Sequence, residues 1–568
     1  VQDAAQVAQR LREISALLRF SEEPAFKRQA YETAAEVVTT VGDELGSVVE
    51  QDKLRSLQGI GPSLERQIKE LWNTGSSEYL ERLRAALPEG AAELVQIPGM
   101  TPKRIRALSE ALGIRSISDL LSACAAGRVR NVPGFGQKTE ERLCAACENW
   151  LKREPNAPPR LLLSDALALA ASLERSLRDD NARVFLSGAA RRGEETVTEL
   201  EFVVDGDVRA ALERLSELRQ VLRVDYAARI AYLSGGIRVI VHPAEAAPGN
   251  ALVFATGNAA HIAALQARAH ARGFGLDLQE EPAAHAARNF TTEGELYAAL
   301  ELEFVAPELR AGKGEVELAA QGKLGELLEV SHLRGMVHCH TTYSDGKNSV
   351  LEMAQAAHAL GMHYITITDH SPSAHYAGGV TLDRLKQQWD EIAEAAERVP
   401  IRILRGTESD ILSDGALDYP DAVLESFDVV IASIHARHRL DRGAMTARLM
   451  RALTLPIFKI WGHALGRILN HRQPIDCDVP ALLDALAGSR GAIELNADPH
   501  RLDLPAEWIP AARERGIPFV VSVDAHSVRG LEVFRHGVTQ ARRGGLSKRE
   551  VLNTLAADDF ARTVRPSP

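Results

Sequence analysis

Met336-Val-His-Cys-His-Thr-Thr-Tyr-Ser-Asp345 is the stretch that decides the fold. A short apolar run leads into it, and two imidazoles and a carboxylate follow. Residues two apart on a strand face the same way, so His338 and His340 share one face while Cys339 turns to the other and packs. The same grammar returns in Thr368-Asp-His-Ser371, Gly406-Thr-Glu408, Ser433-Ile-His435, Gly462-His463 and Asp524-Ala-His526. Seven apolar runs read as strands: 336–340, 364–368, 401–407, 428–434, 457–462, 491–495 and 518–523. Helical patterns such as Val350–Leu360 and Leu382–Arg398 lie between most of them. Strands alternating with helices predict a parallel β/α barrel. Such barrels place their chemistry at the C-terminal ends of the strands. Ligand-type residues stand there after six of the seven runs, and Asn496 follows the remaining one.

Any one of these histidines, taken alone, reads as a strand cap or a core hydrogen-bonder. The set reads as a metal site: His338, His340, Asp345, His370, Glu408, His435, His463, Asp524 and His526. Imidazole with carboxylate suits zinc, manganese or iron. So many ligands exceed the needs of one ion, and a carboxylate such as Glu408 can bridge two. Ions about 3.5–4 Å apart activate a water and neutralise a phosphoryl oxygen. Arg437 and Arg467, close to ligand positions, read either as phosphate clamps or as surface residues. His332, His358, His363 and His536 lack the strand-end placement and read as ordinary.

Towards the other end, three segments resemble one another: Leu57-Gln-Gly-Ile-Gly-Pro-Ser-Leu64, Ile97-Pro-Gly-Met-Thr-Pro-Lys-Arg104 and Val132-Pro-Gly-Phe-Gly-Gln-Lys-Thr139. Each sits between helical patterns, as a helix-hairpin-helix turn does. Gly59, Gly61, Gly99, Gly134 and Gly136 let the backbone approach a phosphate, and the amides of the next helix point at the anion. Such a turn holds a DNA strand by its backbone without reading sequence. Three copies favour DNA over a generic helical hairpin. Thr101 replaces the second glycine of the middle copy, which marks that copy as structural.

The chain of 568 residues is too long for one core. Residues 153–159 and 306–335 read as linkers around a mixed α/β unit. A net charge of −11 does not advertise nucleic-acid binding, so that reading rests on local geometry. No apolar run reaches the ~18 residues of a membrane span, and no secretory leader opens the sequence. Five scattered cysteines argue for a reducing cytoplasm, and Cys144 and Cys147 read as helix thiols rather than a zinc pair.

These motifs together resemble a bacterial family X DNA polymerase fused to a polymerase-and-histidinol-phosphatase (PHP) domain, over essentially the whole chain. The resemblance implies a multidomain α/β protein. Residues 1–88 would be a lyase-like helical domain, 89–154 fingers, 160–245 a nucleotidyltransferase-like palm, 246–312 a thumb, 313–335 a linker and 336–568 the PHP barrel. It implies that His338, His340, Glu408 and Asp524 hold one ion, Glu408, His435 and His463 a second, and Asp345, His370 and His526 a third. Manganese or zinc would serve there in 3′→5′ exonuclease and related phosphoester hydrolysis. Gapped, nicked or primer-template DNA would be the partner. Gly188, Arg191 and Arg192 match a nucleotide-binding motif, which implies dNTP and a palm site for magnesium or manganese.

The departures from the family pattern fall in the palm. The family's Asp-x-Asp is Glu199-Leu200-Glu201 here, and its third aspartate is Gly236. The serine of the phosphate motif is Ala189, and the Schiff-base lysine position of the lyase-like helix is Gln67. A glutamate in place of aspartate displaces its oxygen by about 1–1.5 Å, and misplacement of that order costs about 10²-fold in rate. Three readings follow. One is a DNA repair protein whose working chemistry is the barrel's, with a weak or inactive palm. Another is a manganese-dependent gap-filling polymerase with an editing barrel. The third is a DNA-binding scaffold carrying a small-molecule phosphatase.

Overall fold

The computed structural model describes residues 3–18, 23–57, 59–85, 90–151, 159–244, 247–276, 288–436, 438 and 440–567. The chain forms two compact units. One comprises Val1–Arg160, Ser172–Val184 and Thr198–Pro243; the other comprises Leu161–Ala171, Phe185–Val197 and Ala244–Pro568. Most of the linker expected at 153–159 lies outside the described residues.

The first unit opens with two helical cores. Helices Ala4–Leu17, Ala25–Val41 and Pro62–Thr74 bury Leu11, Ile14, Val38, Ile68 and Leu71 together. Helices Pro102–Leu112, Ile117–Ala125 and Gln137–Leu151 bury Ile105, Leu108, Leu120 and Cys147. The three sequence repeats share one backbone. Ile60, Met100 and Phe135 each donate an amide back to Leu57, Ile97 and Val132, closing a tight turn. The glycine before each has φ of +87°, +86° and +87° at Gly59, Gly99 and Gly134. That left-handed position is why glycine recurs there. The following apolar residue is buried each time and pins the turn to its core, worth about 1.5–3 kcal/mol apiece.

The strands of the region expected as the palm are β1 (Leu161–Leu162), β2 (Arg183–Ser187), β3 (Thr196–Val197), β4 (Glu199–Asp205), β5 (Val221–Asp225), β6 (Ile230–Leu233) and β7 (Arg238–Pro243). β1 and β3 pair with each other, and the larger sheet runs β2-β4-β7-β6-β5. β4 and β7 are parallel, with Glu199 opposite Arg238 and Glu201 opposite Ile240.

In the second unit, helices Pro248–Thr256, Ala259–Ala271 and Glu293–Ala299 build the thumb core around Leu265, Leu296 and Tyr297. The segment 313–335, expected as a linker, is instead packed. Helix Glu315–Ala320 buries Val316 and Ala319 in the thumb core, and Leu328 and Leu333 enter the barrel core. Its Gly, Lys and Glu content suggested a tether, but the few apolar residues fall where two cores need them.

The barrel strands are β8 (Gly335–Cys339), β9 (Tyr364–Ile367), β10 (Arg402–Asp410), β11 (Val429–Ser433), β12 (Ile460–Trp461), β13 (Ala492–Asn496) and β14 (Phe519–Ser522). Among the described residues they make one parallel sheet in sequence order. The amides of Val523 and Ala525 donate to Val337 and His338, and that of His340 to Ala525, so the last strand meets the first. All seven expected strands are present, and residues at the ends of neighbouring strands therefore converge on one mouth.

Candidate metal centre and nucleic-acid contacts

Local backbone aims the ligands. His338, His463 and Asp524 have φ of +68°, +25° and +49°, a left-handed geometry that strains a residue with a side chain. Each lies where a strand ends or kinks, so the strain turns its side chain into the mouth, as strained residues at functional sites do.

His338 Nε2 lies 3.3 Å from Glu408 Oε2 and 3.7 Å from Asp524 Oδ1; His340 Nε2 lies 3.6 and 3.3 Å from the same two oxygens. His435 and His463 place Nε2 at 3.2 and 2.8 Å from Glu408 Oε1. Asp345 Oδ1 is 3.6 Å from His370 Nε2 and 3.3 Å from His526 Nε2. Eight of the nine expected residues fall in three compact groups: His340, Asp345, His370 and His526; His338, His340 and Asp524; and His370, Glu408 and His435, with His463 reaching them through Glu408. Two rings span sets: His370 turns Nδ1 to 3.0 Å from Glu408, and His340 turns Nδ1 to 3.9 Å from Asp345.

The donor set fits metal ions. Six buried polar atoms of these residues have no hydrogen-bond partner: His338 Nε2, both ring nitrogens of His340, His370 Nδ1, Glu408 Oε2 and His463 Nδ1. A buried polar atom left unpaired costs about 1–3 kcal/mol, and cations held by these residues would relieve that cost. Metal–nitrogen bonds of about 2.0–2.1 Å imply tetrahedral donor–donor edges of about 3.3–3.4 Å, in the middle of the 2.8–3.9 Å separations above. The barrel mouth is a candidate metal centre.

The protonation states show the same need for positive charge. Burial alone would push Glu408 and Asp524 upward. The surrounding imidazoles, His435 and His338 for Glu408 and His338 and His340 for Asp524, outweigh it and hold both carboxylates well below their usual range. Burial opposes charge on His435, yet Glu408 and Asp410 raise it to about 10. His526 rises to about 9, because Asp345 and Asp524 outweigh its burial. His340 goes the other way, to about 4, driven by burial and by the rings of His370, His526 and His338.

A shell behind the ligands fixes their orientation, and most of it escaped the sequence reading. Glu494 accepts from His338 Nδ1 at 2.8 Å, and Asp410 binds His435 Nδ1. Outer carboxylates of this kind set the tautomer of a ligating imidazole. Asn496 donates to Glu494 at 2.7 Å and to Asp524 at 3.2 Å. The available signal was the two-residue period of Ala492-Ile-Glu-Leu-Asn496, which sets Glu494 and Asn496 on one face of an otherwise apolar strand. Asp369, beside His370, binds Thr341, Ser344 and Gln388 and shapes the loop.

The two arginines fare differently. Arg437 lies outside the described residues. Arg467 is corrected to a structural role: its three guanidinium nitrogens reach Arg501 O, Glu195 Oε2 and Leu502 O. Arg501 stands nearer the metal ligands, with Nε 3.6 Å from Asp524 Oδ2 and a buried, unpartnered Nη1.

Four family models match the chain. They are a PHP domain at residues 337–497, a helix-hairpin-helix domain at 2–77, a SAM-like helix-hairpin-helix tandem at 91–149 and a DNA polymerase beta thumb at 251–311. The DNA polymerase/3′-5′ exonuclease PolX of Bacillus subtilis is 34% identical over 97% of both chains. This chain belongs to the PHP-bearing bacterial family X DNA polymerases. Its barrel alone also resembles a probable phosphatase of Thermoanaerobacter (28% identical; 38% of this chain, 89% of that one). A probable histidinol-phosphatase of Deinococcus radiodurans is 29% identical over 34% of this chain and 85% of its own.

Against that family pattern, the palm is altered in its bonds as well as its letters. Glu199 is bound by Arg238 at 2.6 Å, and Glu201 by His242 at 2.9 Å. Gly236 has φ of +76° in the β6–β7 turn, and a Cβ there would stand 3.1 Å from Pro159. That backbone strains any residue with a side chain there. In the second unit Gly188 is left-handed too, at +67°. Arg191 is held by Thr256 and Glu293, and Glu293 by Arg310 as well. Arg192 donates to Thr256 O and Glu194. Gln67 is buried in its helix, where an amine would have to reach solvent to meet a sugar.

In the helix-hairpin-helix turns two further glycines recur. Gly61 and Gly136 have ordinary negative or extended backbone, and a Cβ at either would meet nothing within 4 Å. Neither backbone conformation nor packing requires glycine there, and its absence of a side chain leaves the following helix N-terminus open. Thr101 takes that place in the middle copy, its Oγ1 capping Arg104 N at 3.3 Å.

Proposed function

We propose that this protein is a cytoplasmic DNA repair enzyme whose working reaction is 3′→5′ phosphodiester hydrolysis in the barrel. The six orphaned polar atoms around Glu408 carry the reading. Three manganese or zinc ions would use His338, His340, Glu408 and Asp524; Glu408, His435 and His463; and Asp345, His370 and His526. When bound, such ions activate water and neutralise charge on phosphorus. The chain's own residues do the rest. Glu494 and Asp410 hold the rings of His338 and His435 in the ligating tautomer. Asp345 and His526 are the half-exposed ligands, so the scissile phosphate enters over them. The Gly59–Gly61 and Gly134–Gly136 turns hold gapped, nicked or primer-template DNA by its phosphates, with Gly99 shaping the capped middle turn. The five cysteines are free thiols, in keeping with a reducing compartment. Among the described residues no helix is long and apolar enough to cross a membrane.

The palm is the weaker centre. Arg238 and His242 compete with cations for Glu199 and Glu201, and dNTP phosphates would compete with Glu293 and Glu194 for Arg191 and Arg192. Incubating the full chain with an end-labelled gapped duplex in manganese, with and without dNTPs, tests the assignment. The primer shortens, and His340→Ala or Asp524→Ala abolishes the shortening. Robust lengthening, or digestion that survives both substitutions, overturns it.

A further inference from the structure

Tyr376 is exposed where an aromatic ring is hard to explain by folding. Its relative exposure is 61%, and among the described barrel residues it is the one exposed Phe, Tyr or Trp. Its ring stands at the metal centre, with centroids 6.0 Å from His370 and 6.2 Å from His435. The surrounding loop is tied down at both ends. Ser371 N donates to Glu408 O, Val380 N to His370 O, and Ser373 to Asp418 and Asp410. Gly379 lets the loop close on itself, since a Cβ there would meet Ser371 O at 2.0 Å. The ring is thus presented rigidly beside the ligands with much of its surface in solvent.

We propose that Tyr376 is a stacking platform for the 3′-terminal nucleobase, seating it beside the ions so that its 5′ phosphodiester is the bond hydrolysed. This rests on the phosphoesterase reading and deepens it: the substrate class becomes an unpaired 3′ nucleotide rather than any phosphate ester. An aromatic face accepts every base, so the subsite is indifferent to sequence. Removal of one stacked ring costs about fivefold in affinity at the low end of measured stacking and more than a hundredfold at the high end.

The test pairs loss of the ring with loss of the base. Full-length protein in manganese is given oligonucleotides ending in a normal 3′ nucleotide or a 3′-terminal abasic analogue. Tyr376→Ala raises KM about tenfold on the normal end with kcat little changed, and the effect vanishes on the abasic end. Tyr376→Phe and Tyr376→Trp restore the wild-type KM. A separate binding readout uses metal-stripped protein and a single strand ending in 2-aminopurine. Quenching of the terminal base is strong with wild type and lost with Tyr376→Ala. Equal losses on both ends, a Phe variant as poor as Ala, or quenching that survives Tyr376→Ala would each overturn the platform. Absence of hydrolysis by wild type with quenching intact would instead overturn the phosphoesterase reading alone.

Discussion

Glu494→Gln isolates the orienting shell, because it changes charge and hydrogens while keeping shape. Glu494 Oε2 meets His338 Nδ1 at 2.8 Å, and Oε1 meets Asn496 Nδ2 at 2.7 Å and the His463 amide at 3.2 Å. All three partners donate, so a carboxylate, with acceptors on both sides, suits the position and an amide does not. A glutamine must aim its NH2 at one of them. If it faces His338, Nδ1 must accept, which moves the ring proton to Nε2, the atom facing Glu408 and Asp524. That tautomer cannot ligate. If the amide faces Asn496 and His463, two donors oppose each other in a fully buried site. Either way one charge-assisted bond of about 1.5–3 kcal/mol is lost. This agrees with the ~10–100-fold loss of metal affinity typical of outer-shell changes. The assay is manganese and zinc titration of the stripped protein against a chelator of known affinity, with circular dichroism and urea melts of the metal-free forms. The expected result is a fold that melts like wild type with one ion class weakened ~10–100-fold. Unchanged affinity for every ion would refute the tautomer argument, and a collapsed fold would show that Glu494 serves packing instead.

Other expectations follow from single contacts. Gly61→Ala and Gly136→Ala leave urea stability near wild type, since their Cβ atoms meet nothing. They weaken DNA binding by roughly tenfold in fluorescence anisotropy through loss of a phosphate contact. Gly59→Ala and Gly134→Ala instead destabilise by about 1–2 kcal/mol, because they force a side chain into left-handed backbone; the reverse pattern would contradict the assigned turn geometry. Extension of a gapped primer is slow or absent, and Glu201→Gln abolishes whatever remains. Vigorous extension unaffected by that change would mean that the palm is misassigned. Burial would raise Glu293, but Arg191 and Arg310 outweigh it and depress its pKa. The stability it contributes is therefore present above the ordinary glutamate value of about 4.3 and lost as pH falls through the lower folded value. Urea melts from pH 7 to 3 should show that loss, and Glu293→Gln should flatten it. An identical pH profile in the variant would rule the ion pair out as its source.

The barrel and the convergence of its histidines and acids were legible in the sequence, because each follows an apolar run and a parallel β/α barrel brings strand ends together whatever the loops do. The sequence also determined the three turns, since the glycine at +87° is demanded locally by φ and leaves its mark at fixed spacing. It showed the altered palm as missing aspartates. What only tertiary structure decided is who stands opposite whom. Arg238 on Glu199, His242 on Glu201, Glu494 behind His338 and Glu195 on Arg467 join residues that are 39, 41, 156 and 272 positions apart. The packing of 313–335 and the exposed ring of Tyr376 beside His370 belong to the same class. Local periodicity reports which face of an element a residue occupies. Partner choice across a fold depends on the register and closure of distant elements, and no local pattern encodes that.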